Sequence, residues 1–380
     1  MTLPAGQSRM RRAAADLALA ERPAMGERWR RVRDLLSARR LDAVLVSDPY
    51  DVRYLSGFTG DDTYLIIGHE AGLICTDSRY WAQVADEVTG LELVRTERLL
   101  EDTLAAVAAH WGKGVVLGFQ GTHLSYATYR RLRRLHSGGL RTVGDAVTAL
   151  RQVKDGAEVA RIRRAAQLTD AALQAVVEAG LVGRSERDVA WQIERELHER
   201  GAQGLAFPSI VASGAWGALP HATPRDRPIE RNELVVIDTG ATFDGYRSDI
   251  TRTLATGELD EELRYVYEVV LRAQQAGLAA VRGGVDGKAV DAAARTVITE
   301  AGYGDYFGHG TGHGVGLEIH ELPRLGRLRG DPLAAGMVVT VEPGIYLEGR
   351  GGVRIEDTVL VTNDGCEILT AFPKELRVVA

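Results

Sequence analysis

The segment Glu233–Thr253, ELVVIDTGATFDGYRSDITRT, constrains this chain more than any other. It opens as an apolar run, Leu234-Val235-Val236-Ile237, of the kind that belongs in a sheet core, and ends that run on Asp238. Burying a carboxylate there is costly unless something positive meets it. The chain turns near Asp244-Gly245 and returns through a second aspartate, Asp249. If the two segments pair as a hairpin, Asp238 and Asp249 stand at or near cross-strand positions, with Cβ atoms roughly 5 to 8 Å apart on one face. Carboxylates that close repel, so a shared proton or a cation is expected between them. Asp244 is read as a turn residue and nothing more.

A second acid-bearing hairpin is expected at Val338–Val361, where Glu342 and Glu356 lie equally far from Gly349 in a Gly-Arg-Gly-Gly turn segment. Between the hairpins runs HGTGHGVGLEIHE, which carries His309, His313 and His320 and closes on Glu321. No frame of GTGHGVG satisfies the dinucleotide fingerprint. His309 and His313 are four apart, as in helical zinc motifs, but Gly310 and Gly312 argue against a helix and HExxH is absent. An extended segment is expected, with His313 pointing into the site and His309 and His320 on its flanks. Four carboxylates and one neutral imidazole call for two divalent cations. Oxygen-rich ligation without thiolate favours manganese, iron or cobalt over a structural zinc. Bridging carboxylates would hold the metals roughly 3.5 to 4 Å apart, and a hydroxide shared between them would be a nucleophile near neutral pH. The chemistry implied is metal-assisted hydrolysis.

At 380 residues the chain favours two domains. Helical periodicity from Glu27 leads into a buried strand at Leu41–Val46; strands at Thr63–Gly68, Ala71–Thr76, Leu91–Arg95 and Val115–Phe119 alternate with helices at Ser78–Glu87, Arg98–His110 and Ser125–Leu135. This α/β region has no phosphate loop. Beyond it, helices at Gly156–Gly180 and from Ser185 precede the first hairpin, and helices at Glu261–Val281 and Gly287–Ala301 precede the second. Two helices then strands, twice over, suggests two related halves around one sheet. A net charge of −6 gives no reason to expect nucleic acid, and the Ala/Leu run after Arg11-Arg12 is too short and charged for a membrane span. Cys75 and Cys366 read as buried thiols, and the expected location is the cytoplasm.

DTGATFDGYRSDITRT, HGTGHGVGLEIHE, TVEPGIY and VRIEDT together resemble the metal-dependent peptidases of the pita-bread fold, within it the proline-specific group of prolidase and aminopeptidase P. The resemblance covers about residues 151 to 375; Arg53–Gly60, RYLSGFTG, is similar to the group's smaller domain. It implies an extension at residues 1–25, a creatinase-like α/β domain at 26–145, a linker at 146–156, and an α+β pita-bread catalytic domain with a pseudo-twofold repeat at 157–380. It implies that Asp238 chelates one metal, Asp249 and Glu356 bridge both, and His313 and Glu342 complete the second, with manganese foremost and cobalt, iron or zinc as alternatives. Glu342 would also carry the proton to the leaving nitrogen, His221 would help bind substrate, His320 would stabilise the oxyanion, and His309 with Arg354 would line the proline pocket. The implied activity is hydrolysis of the Xaa-Pro bond with release of the N-terminal residue, by a homodimer or larger assembly. The alternatives are a metal-free, creatinase-like amidinohydrolase, a methionine aminopeptidase and a non-enzymatic peptide-binding protein of the same fold. All five ligand positions keep ligand residues, which disfavours the metal-free and non-enzymatic readings, and the large N-terminal domain disfavours the methionine aminopeptidase.

Overall fold

The computed structural model describes residues 25–379. The expected N-terminal extension, Met25 apart, lies outside them. The chain forms two compact units that divide between Arg151 and Gln152.

The first unit is built on strands β1 (Ala43–Val46), β2 (Thr63–Gly68), β3 (Gly72–Thr76), β4 (Glu92–Arg95), β5 (Leu117–Phe119) and β6 (Leu140–Thr142), in the order β4-β3-β2-β1-β5-β6. β1 pairs antiparallel with β2 and parallel with β5, and all four of its residues are buried, as its unbroken apolar run requires. Among the described residues five helices accompany the sheet: α1 (Met25–Arg39), α2 (Pro49–Ser56), α3 (Trp81–Glu87), α4 (Leu99–Trp111) and α5 (Tyr126–Leu135). The apolar pattern does not mark α2, because eight residues hold too little periodicity. Its signal is at its ends. Asp48 accepts hydrogen bonds from the Tyr50 and Asp51 amides, Pro49 opens the first turn, and Gly57 closes the helix in the left-handed region. Cys75 is buried, while Cys366, expected to be buried, is only half so; both are free thiols.

In the second unit the helix-pair pattern recurs. α6 (Gly156–Glu178) and α7 (Glu186–Glu199) each begin in a capping box, Asp155 with Glu158 and Ser185 with Asp188. They precede β7 (Gly204–Leu205), β8 (Ile210–Ser213), β9 (Leu234–Thr239), β10 (Ala241–Phe243), β11 (Tyr246–Arg247) and β12 (Ile250–Ala255). α8 (Glu261–Ala280) and α9 (Gly287–Glu300), capped by Asp260 and Asp286, precede β13 (Gly312–Gly314), β14 (Glu321–Leu325), β15 (Val338–Val341), β16 (Gly344–Leu347), β17 (Gly351–Arg354), β18 (Asp357–Val361) and β19 (Cys366–Ile368). Among the described residues no helix is long and apolar enough to cross a membrane.

The expectation of one sheet shared by the halves is corrected. The first half contributes β12-β9-β8 and the ribbon β11-β10-β7; the second contributes β14-β13-β15-β18-β19 and the pair β16-β17. The halves meet along a seam between β12 and residues 354–358, which one backbone and several side-chain hydrogen bonds hold in place of a ladder. The Glu356 amide donates to the Thr251 carbonyl (3.1 Å), the Arg354 amide to Thr253 Oγ1 (3.1 Å), and Thr358 Oγ1 to the Asp249 carbonyl (2.8 Å). The second hairpin takes the register that its symmetry about Gly349 suggested, and the first brings its two aspartates near, not directly across from, each other. β9 and β12 pair Asp238 with Thr251 and Thr239 with Ile250, so Asp249 follows directly on the ladder. β15–β18 and β16–β17 pair Val341 with Asp357 and Leu347 with Gly351. Both registers centre on Gly349, whose φ of 75° suits glycine.

Arg252 locks the seam from behind. Its buried guanidinium donates to Asp357 Oδ1 (2.9 Å), to the Phe372 carbonyl (2.9 Å) and to the Glu356 carbonyl. Removing one partner of a buried pair leaves the other charge uncompensated, at about 3 to 5 kcal/mol. Lys374 also reaches Asp357, at 2.6 Å, which places Arg252→Met at the lower end. Urea denaturation of Arg252→Met is expected to show a loss of about 3 kcal/mol; a loss below about 1 kcal/mol, the worth of an exposed pair, would show that the seam does not depend on this residue.

Candidate metal centre

Each acid stands on or just off a strand that fixes its backbone. Asp238 ends the apolar run of β9, Asp249 precedes β12, Glu342 follows β15 and Glu356 precedes β18. His313 is the middle residue of β13. All five line one cavity of about 940 Å³, together with Arg354, His221, His309 and His320.

One ligand atom each from Asp249, His313 and Glu356 lies within 4.8 Å of the others. His313 Nε2 stands 3.6 Å from Asp249 Oδ2 and 3.4 Å from Glu342 Oε1. Its other nitrogen, Nδ1, lies 3.0 Å from the Gly314 carbonyl. A carbonyl can only accept, so the ring proton sits on Nδ1 and the Nε2 lone pair faces the two carboxylates. Burial, reinforced by the nearby His320, lowers the His313 pKa to about 3, so no proton fills that gap at neutral pH. The neighbouring acids are driven the other way. Burial first, then Glu356, Asp238 and Glu342, raises Asp249 well above the ordinary carboxylate range; burial first, then Glu342 and Asp238, raises Glu356. Burial pushes Glu342 up to about 7, with Arg354 opposing and Asp238 reinforcing.

The donor set fits a divalent cation. Asp238 Oδ1 and Glu356 Oε1 are buried and have no hydrogen-bond partner among the described residues. Orphaned carboxylate oxygens carry a large desolvation cost, and the neutral imidazole cannot relieve it. The oxygens left to protein groups are oriented by hydroxyls. Thr251 Oγ1 donates to Glu356 Oε2 (2.6 Å), and Thr340 Oγ1 donates to Glu342 Oε1 (3.1 Å). Carboxylates with one imidazole and no thiolate suit a hard or borderline divalent metal.

The flanking residues separate by function. Arg354, expected to line a proline pocket, is buried and engaged by protein groups. It donates to Asp238 Oδ2 (2.7 Å), Tyr346 Oη (2.9 Å), the Pro220 carbonyl (3.2 Å) and Thr251 Oγ1 (3.0 Å), which makes it the counter-ion of Asp238. His309 leans edge-on against Phe307, and its Nδ1 lies 2.8 Å from the Gly310 carbonyl. Its Nε2 therefore accepts from Tyr346 Oη (2.9 Å). Burial lowers the His309 pKa to about 4. The His320 ring meets that of His313 edge-on at 4.4 Å, and His221 is exposed on the cavity wall.

Sequence reasoning missed Tyr346, Thr251 and Thr340, although TVEPGIY and DITRT contain them. It also missed Arg324. Arg324 lies directly across from His313 in the β13–β14 pairing, is exposed to the cavity, and forms no ion pair among the described residues. Arg295, another arginine of the cavity lining, is held by Asp291 at 2.8 Å. Only strand pairing brings Arg324 beside His313.

The family model described as metallopeptidase family M24 matches residues 160–363, and the creatinase/prolidase N-terminal domain matches 28–153. A Pyrococcus furiosus protein named Xaa-Pro dipeptidase is 39% identical over 355 residues, 93% of this chain and 100% of its own. The structure titled Xaa-Pro dipeptidase from Bacillus anthracis superposes with a TM-score of 0.90 at 38% identity, covering 94% of this chain and 100% of that one. The X-Pro aminopeptidase of Thermotoga maritima superposes with a TM-score of 0.83 at 36% identity, covering 90% and 98%. The architecture is accordingly a creatinase-like N-terminal domain followed by a pita-bread catalytic domain. With its acids and imidazole arrayed for divalent cations and the M24 model spanning both hairpins, this chain belongs to metallopeptidase family M24.

Proposed function

We propose that this protein is an Xaa-Pro dipeptidase dependent on two divalent metal ions. The observation that carries the reading is the buried acid cluster, with orphaned oxygens around a neutral imidazole, at a cavity that also presents an uncommitted guanidinium. The relatives named Xaa-Pro dipeptidase and X-Pro aminopeptidase supply the substrate class. Asp238, Asp249, His313, Glu342 and Glu356 would hold two divalent cations, manganese foremost, and such ions would supply Lewis acidity at the scissile carbonyl and lower the pKa of water.

The remaining work falls to the chain's own groups. An Xaa-Pro bond has no amide N–H, and its tertiary nitrogen must be protonated to depart. Glu342, 3.4 Å from His313 Nε2 and oriented by the Thr340 hydroxyl, is suited to take a proton from the attacking water and return it to that nitrogen. His320, beside His313, donates to the carbonyl oxygen as charge develops there. Arg354 acts through Asp238 and Tyr346, while His309 and Phe307 give the proline ring an apolar wall. Arg324 is the cation that receives the free carboxylate after proline, which favours dipeptides over longer chains. The reading extends to a homodimer in the cytoplasm, a reducing compartment that suits the two free thiols.

With manganese, the enzyme is expected to release proline from Ala-Pro. Chelation or Asp249→Asn should lower the rate by at least ~1,000-fold, and equal rates in all three samples would sink the mechanism. Arg324→Ala should raise KM for Ala-Pro by ~10- to 100-fold, the worth of a charge-assisted hydrogen bond, yet leave the carboxamide Ala-Pro-NH2 unaffected. An equal effect on both substrates would remove Arg324 from carboxylate recognition.

The acid shifts also set a pH dependence. Glu342 moves from 4.5 to about 7, so the folded metal-free protein holds protons that the unfolded chain releases. Its own contribution to stability therefore falls as pH rises across that window, while His313 and His309, held neutral in the folded state, contribute in the opposite sense. Cations displace the acid protons, so thermal melts should show the Tm gain from added manganese growing with pH between those values. A manganese gain that shrinks through the window would contradict the arrangement.

A further inference from the structure

His320 sits at the end of the turn Val315–His320, which joins β13 to β14 and has no strand or helix of its own. The β13–β14 register shifts between His313 and Gly314, so the ladder alone does not carry His313's placement into this turn. What fills the turn is the carboxylate of Glu321. Its Oε1 accepts from the Glu318 amide (3.0 Å), and its Oε2 accepts from Lys154 Nζ (3.1 Å). The side chains of Lys154 and Glu321 are only 1% and 3% exposed. The fit allows no side chain at Gly316, where a Cβ would fall 2.5 Å from Glu321 Oε2. Lys154 is itself anchored, its amide donating to the Gly336 carbonyl (2.8 Å) just ahead of β15, the strand that leads to Glu342. The ammonium thus joins the stem of the Glu342 hairpin to the turn that carries His320.

Stability alone does not account for this pair. Desolvating an ammonium and a carboxylate costs about what their attraction returns, and an apolar pair of similar volume is often as stable. Such a pair does impose position, because separating two buried charges leaves each uncompensated out of water. We propose that Lys154 and Glu321 are positioning residues for the reaction: their buried ion pair sets the Val315–His320 turn, and through it the imidazole of His320 beside His313. The inference rests on the dipeptidase reading where it concerns rate, and on the structure alone where it concerns the turn.

The test uses the full-length, manganese-loaded enzyme with Lys154→Met, Glu321→Gln and His320→Ala, singly and with each clamp variant combined with His320→Ala. Each clamp variant is expected to lower kcat on Ala-Pro by ~10- to 100-fold, the cost of a displacement on the order of 1 Å, with KM changed less than about threefold and manganese affinity retained. In the His320→Ala background the clamp substitutions should cost nothing further, because both routes remove the same contact. Hydrogen exchange should show the amides of residues 315–320 exchanging at least ~10-fold faster in Lys154→Met than in the parent enzyme. Losses that multiply in the double variants, or unchanged exchange in the turn, would overturn the proposal. So would failure of both clamp variants to fold, since the pair would then be a folding requirement. If the parent enzyme releases no proline, the dipeptidase reading fails, and hydrogen exchange still decides the clamp.

Discussion

The mutual repulsion of Asp238, Asp249, Glu342 and Glu356 is the constraint around which the second unit is arranged. At about 4 Å two like charges repel by about 4 kcal/mol at the effective dielectric of a protein surface, and more as water is excluded. Against the four carboxylates stands Arg354, which is committed to one of them, Asp238. Burial has already driven His313 neutral, so the imidazole offers a lone pair and no charge. Protons can relieve the strain at low pH, and Glu342 is shifted upwards by its burial first and by Asp238 after it. Divalent cations relieve it at neutral pH and meet the orphaned oxygens of Asp238 and Glu356.

A cluster so unfavourable by itself persists because each acid is held by backbone already committed elsewhere. β9 and β12 carry the aspartates on a two-stranded ladder, and the hairpin centred on Gly349 carries the glutamates. Neither hairpin brings all four acids together alone. The seam does so, with Arg252 behind it and Thr251 serving both sides, its carbonyl accepting from the Glu356 amide and its hydroxyl donating to the Glu356 side chain. Rigid strands set the acids' spacing, and hydroxyls turn their carboxylates.

The inner arginines Arg295 and Arg354 are neutralised by Asp291 and Asp238, whereas Arg324 forms no ion pair among the described residues. A guanidinium neutralised by the protein shapes the site, and one left uncommitted is available to a ligand. The lysine of the Lys154–Glu321 pair belongs to the first kind, and the turn it occupies ends on His320.

Much of this was legible in the chain because it follows short-range rules. An apolar run ending in an acid marked β9 and Asp238, equal spacing about Gly349 paired Glu342 with Glu356, and glycines on both sides of His313 called for an extended segment. Capping residues placed α7 and α9, while α2 escaped because its evidence was capping alone. Tertiary structure alone decided which groups pair across long separations: Arg354 with Asp238, Arg324 beside His313, Lys154 with Glu321, and four separate sheets in place of one. The physical reason is that periodicity and turn chemistry are read over a few residues, whereas a buried charge takes the partner that packing brings within reach, wherever it lies in the chain.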